Sequence, residues 1–105
     1  MLMDSELARK MRAELGTVSW SWLRPHAKRG ILFQVAVELD LLAVGLAVAE
    51  DRVKEVEIWL VRKRLARPTS EQLEGWEDRG GLFSALIVKP YVFFKELEQT
   101  PEKLQ

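Results

Sequence analysis

Cysteine is absent from this chain. That excludes a disulfide framework, a thiol nucleophile and any thiolate metal site, and it fits a reducing compartment. Histidine occurs once, as His26, so a zinc centre would have to be built from several carboxylates, an unusual ligand set. No apolar run is long enough to span a bilayer, and the opening Met-Leu-Met-Asp-Ser-Glu carries acid where a secretory leader carries base. A cytoplasmic location without membrane insertion is expected. Excess charge is lacking too: sixteen Lys and Arg oppose sixteen Asp and Glu, so no global field draws the molecule to phosphate backbones or anionic lipid. Glycine-rich phosphate loops are missing as well, since Gly80-Gly81 is not followed by the Lys and hydroxyl residue of a P-loop. No repeat, low-complexity tract or interdomain linker interrupts the chain.

What is present is an ordinary core. Of 105 residues 48% are apolar, enough for one domain over 1–105. Asp4 precedes Leu7, Met11 and Leu15 at helical spacing, and Gly16 is placed to stop that first helix in a left-handed conformation. A second helix carries Trp20, Leu23 and Ala27 on one stripe and ends at Gly30; Ser19 or Ser21 can cap it, and Ser21 is the better cap for a regular α-helix, because that places Pro25 near the first turn. Residues 31–37 are short, apolar and β-branched, the pattern of a buried strand. Asp40 then caps an almost wholly apolar segment over 41–49, read as a central helix in which Gly45 permits a close backbone approach, with a strand as the alternative because periodicity does not settle a short apolar run.

A fourth helix follows with Val53, Val56 and Leu60 in register and Trp59 beside them, ending in Arg62-Lys63-Arg64, where cations complement the macrodipole. Thr69-Ser70-Glu71-Gln72 matches a capping box ahead of Leu73 and Trp76, and Gly80-Gly81 stops this fifth helix. Residues 82–88 and 91–97 read as one long strand with a bulge at Pro90, on a sheet edge. The polar tail 99–105 is expected to fray. The fold class is therefore α+β: about five helices packed on a small, mainly antiparallel sheet of two or three strands.

Chemistry is sparse. No serine sits in a nucleophile-elbow sequence near a partner for His26, so no catalytic residue and no cofactor are assigned. His26 with Arg29 at one helix end, and Asp40 at the start of another, are the candidates for a small-ligand pocket. Asp40, Glu50 and Asp51 are carboxylates that a divalent cation or acid–base chemistry would use, yet Asp40 and Asp51 also fit as helix caps, and no metal site is assigned. Residues 52–67 carry six basic and two acidic side chains against four and seven over 68–105, so the surface is expected to be dipolar. The basic segment shows no nucleic-acid signature, and nucleic acid is not an expected partner. Trp20, Trp59 and Trp76 lie on apolar stripes and are expected in the core. Trp22, which falls off its stripe, with Tyr91 and Phe93 of the last strand, are the interface candidates.

Trp20-Ser21-Trp22-Leu23, His26, Arg29-Gly30, Leu39-Asp40-Leu41, Val44-Gly45 with Ala47, Ala49-Glu50-Asp51, Trp59-Leu60, Trp76 and Ile87-Val88-Lys89-Pro90-Tyr91-Val92 form an ordered pattern. It resembles a family of small bacterial proteins, domain of unknown function 2288, over roughly Leu7 to Glu96. The resemblance implies a bacterial cytosolic protein and no particular reaction. Lys89 stands where Gln is expected and Phe94-Lys95 where an aliphatic-Gln pair is expected, so any site built on that polar pair is altered here. The function expected is a noncatalytic module that binds another protein or itself, and the alternative is a ligand-binding regulatory domain around His26, Arg29 and Asp40.

Overall fold

A computed structural model describes residues 6–97. Asp4 and the tail 99–105, expected to fray, lie outside the described residues. The element order is α1 (Glu6–Glu14), β1 (Gly16–Ser19), α2 (Trp20–Lys28), β2 (Leu32–Val35), α3 (Leu41–Ala49), α4 (Val53–Val61), β3 (Leu65–Ala66), α5 (Ser70–Arg79), β4 (Leu82–Val88) and β5 (Tyr91–Glu96). Among the described residues the α+β class and five helices agree with the sequence. The sheet is larger than the two or three strands expected: five strands run in the order β1-β4-β5-β2-β3. It is mixed, because β5 pairs parallel with β2 while the other three pairings are antiparallel.

Residues 82–97 are not one bulged strand. The chain reverses at Lys89-Pro90, whose peptide bond is cis, and Val88 pairs with Tyr91 directly across the turn. Nor is β5 an edge, since it lies between β4 and β2 in the middle of the sheet. Alternation along a strand sends neighbouring side chains to opposite faces, and Phe93 and Phe94 accordingly enter two different cores. On one face Trp20 and Leu23 of α2 and Trp76 of α5 pack on Leu32, Phe83, Ala85, Val92 and Phe94. Rings dominate there: Trp76 stands 5.3 Å from Trp20, and meets Phe83 and Phe94 edge-on at 5.3 and 5.5 Å, an arrangement that adds quadrupole attraction to area burial. On the other face Met11 of α1 and Leu41 and Val44 of α3 pack on Val35, Leu65, Leu86 and Phe93.

Several boundary devices behave as the sequence indicates. The Asp40 carboxylate accepts from the Ala43 amide at 3.1 Å, and Thr69 and Gln72 form both halves of the capping box. Gly30 ends α2 with φ of 75°. Others differ. Gly16 has no positive φ; it opens β1 instead of terminating α1 in a left-handed turn. Ser19, not Ser21, occupies the α2 N-cap, without a side-chain bond to a backbone amide, so Pro25 falls inside the helix. Asp51 is not the α4 cap, a position held by Arg52; Asp51 itself takes φ of 60° in the tight link from α3. At Gly45 the close approach is made by side chains, because a Cβ there would collide with Leu86 and press on Met11.

Candidate functional site

The fourth helix departs from the expectation that its stripe is core. No residue of α4 is buried. Val53 is 56% exposed and Leu60 45%, and Ile58 and Val61 are open to solvent as well. Trp59 and Val56 are only half-buried, resting on the second core. The cause is geometric: α4 packs against α3 and the two-residue β3, and β3 is too short an edge for a nine-residue helix to lie flat upon.

An apolar trough therefore runs beside α4. Its first stretch, about 280 Å³, lies between Val48 at the end of α3 and Val53, Val56 and Leu60 of α4, with Asp51, Arg52 and Glu57 on the rim. Val48, Val56 and Leu60 also wall the second stretch, about 250 Å³, which continues over Phe33, Leu65 and Phe93 to Tyr91 and Arg67. The Phe33 ring meets Tyr91 edge-on at 5.7 Å and Phe93 at 6.0 Å. Arg67 closes this end with its guanidinium 5.5 Å from the Phe33 centroid and its Nε donating to the Gly30 carbonyl at 3.1 Å. A cation held over an aromatic face is an anchored positive charge. At the opposite end Arg52 bridges Glu50 and Glu55, whose hydrogen bonds raise its pKa above the ordinary arginine value.

A second, larger cleft of about 780 Å³, lined by apolar and charged side chains together, opens at the carboxyl ends of the parallel pair β2 and β5. Asp40, Lys63, Arg64, Lys95 and Glu96 reach it. Two of its cations are engaged: Arg64 pairs with Glu38 at 3.0 Å, and Lys95 donates to the Val37 carbonyl at 3.3 Å.

The ligand candidates read from the sequence do not meet. Asp40 is exposed at the carboxyl end of β2, whereas His26 and Arg29 sit at its amino end, where the Ile31 amide bonds the His26 carbonyl at 3.2 Å. Neither His26 nor Arg29 lines the trough or the larger cleft. The His26 ring rests 4.8 Å from Trp22, and its Nδ1 is buried without a hydrogen-bond partner. Of the interface candidates, Trp22 is exposed on the outer side of α2, Tyr91 is exposed at the end of the trough, and Phe93 is 3% exposed in the trough floor. Among the described residues no group of three His, Cys, Asp or Glu is placed to hold a metal ion, and no helix is long and apolar enough to cross a membrane.

The model of the family described as protein of unknown function (DUF2288) matches residues 6–96. This chain belongs to that family. The DUF2288 chain is also similar to a solved structure, the NMR solution structure of PA1075 from Pseudomonas aeruginosa: 29% identical, TM-score 0.75, covering 94% of this chain and 93% of that one. No curated protein matches it. Sequence reasoning on this DUF2288 member found Val53, Val56 and Leu60 as a stripe but missed Phe33, Val48 and Arg67 as their neighbours. The available signal was an apolar helical stripe followed within a few residues by only a Leu-Ala pair, too little sheet to cover it.

Proposed function

We propose that this chain is a noncatalytic protein-interaction module whose trough beside α4 receives an amphipathic helix of another protein. The observation that carries this reading is a nine-residue helix with none of its residues buried and with Val53, Ile58, Leu60 and Val61 exposed. Such apolar surface next to a concave floor is the receptor half of helix-in-groove recognition, in which a partner presents residues at i, i+3 or i+4, and i+7. Arg67 favours a partner that carries a carboxylate at the Tyr91 end. The test is site-specific photo-cross-linking in cells, with a benzophenone residue at Leu60 or, as control, at Glu71 on α5. One discrete adduct from Leu60, absent from Glu71 and lost when Val53→Glu is added, supports the proposal; equal or no cross-linking at the two positions overturns it.

A second reading, a small anionic ligand in the larger cleft, is favoured by Lys63 on its lining and by its position at the carboxyl ends of the one parallel pair, the end at which open parallel sheets hold ligands. It keeps Asp40 of the sequence candidates and replaces His26 and Arg29 by Lys63 and Lys95. A thermal-shift screen of phosphorylated and carboxylate metabolites tests it, with any genuine hit lost in Lys63→Ala.

A further inference from the structure

A five-stranded open sheet has two edges, and here they are β1 and β3. Edge strands present unpaired N–H and C=O groups, and folded proteins ordinarily blunt them with brevity, charge or proline. The β3 edge has all three guards: it is two residues long and lies between Arg64 and Arg67-Pro68. The β1 edge is twice that length and carries neither charge nor proline within the strand. Gly16-Thr17-Val18-Ser19 is four residues without charge or proline, and Gly16, Thr17 and Ser19 are exposed.

We infer that β1 is the edge along which two copies of this chain pair, antiparallel across a two-fold axis, to continue the sheet from one copy into the next. The facing of the strand selects the register. Val18 pairs with Phe83 and packs against the first core, while Thr17 and Ser19 point to the other face. A two-fold axis normal to the sheet keeps each face continuous only if residues of the same facing lie opposite each other. The register centred on Val18 does this: Val18 meets its symmetry mate, and Thr17 meets Ser19 of the second copy. β-Branched pairs and Thr–Ser hydroxyl pairs are favourable cross-strand neighbours. Equal numbers of acidic and basic side chains leave no net charge to repel the second copy. The paired edge is short, far below the roughly 1,200 Å² of a standard stable interface, so the association is weak and concentration-dependent.

This inference stands apart from the trough, and its test separates the two. Analytical ultracentrifugation of the full chain up to high micromolar concentration should show a reversible monomer–dimer equilibrium. Thr17→Lys, which puts a charge on an exposed edge position, should weaken it by roughly tenfold without lowering the melting temperature. Because the chain lacks cysteine, Val18→Cys supplies a single thiol that should oxidise to a dimer much faster than Ala66→Cys on the guarded edge, and this readout also decides if Thr17→Lys fails to fold. A wild type that stays monomeric overturns the inference and leaves the edge to an extended segment of another protein. A dimer indifferent to both β1 variants and weakened by Leu60→Glu overturns it equally, and assigns self-association to the trough.

Discussion

Glu77 joins two elements through one carboxylate: it accepts from the Trp20 indole at 3.0 Å and is chelated by the Arg24 guanidinium. Arg24 first, and the indole second, hold its carboxyl below the ordinary glutamate range. A group whose pKa is depressed in the folded state contributes stability above its ordinary pKa and loses that contribution as pH falls through the depressed value. Glu77→Gln should therefore lower stability near neutral pH, and its deficit against the wild type should shrink as the medium is acidified below the ordinary carboxylate range. Urea unfolding at neutral and acid pH checks the sign; a constant deficit would assign the effect to shape instead of charge. At Thr69 the outcome is simpler, because its hydroxyl accepts from the Gln72 amide at 3.1 Å. Thr69→Ala should cost about 0.5–2 kcal/mol in the same measurement, whereas Thr69→Ser should be nearly silent.

At the scale of elements, legibility followed the strength of local chemistry. Four helices declared themselves through periodic apolar residues, α5 also through its Thr69–Gln72 capping box, whereas α3 is apolar nearly all round and only its Asp40 cap marked it as a helix instead of a strand. β1 and β3 did not, since four and two residues are too few to establish a two-residue period, and both owe their extended form to tertiary partners, Phe83 for Val18 and Val35 for Leu65. The centrality of β5 was illegible because its parallel neighbour, β2, lies more than fifty residues earlier in the chain. The site fared worse: His26, Arg29 and Asp40 are close in sequence, yet β2 runs between them and carries them to opposite ends of the sheet. At Gly45 a close approach is present, but it is made by side chains of Leu86 and Met11 and not by the backbone that the sequence led us to expect. Gly45→Val should therefore overpack the α3–sheet contact and cost about 1–3 kcal/mol despite removing a helix-weakening glycine, and Leu86→Ala in the same chain should recover part of the loss in a double-mutant cycle.

For the whole molecule the decisive feature is one sheet shared by two cores. Phe93 and Phe94 are adjacent in β5 and 3% and 0% exposed, yet the first packs with Met11, Val44 and Leu86 and the second with Trp76 and Phe83. Neither core is separable from the other, because the same central strands form the floor of both. Truncating either ring removes a large buried side chain, at about 3–5 kcal/mol, against a total stability of about 5–15 kcal/mol for a domain. Phe93→Ala and Phe94→Ala should each lower the unfolding midpoint substantially, and each should do so for both faces at once. Trp59 reports the α4 side of the sheet, whereas Trp20 and Trp76 report the α2–α5 side. Variants retaining either Trp59 alone or Trp20 and Trp76 alone allow each face to be followed separately by fluorescence during urea unfolding. Coincident transitions from the two reporters, matched by far-ultraviolet circular dichroism, are expected for the wild-type core and for both alanine variants; a Phe94→Ala chain whose Trp20 and Trp76 signal melts well before its Trp59 signal would show that each face folds on its own account.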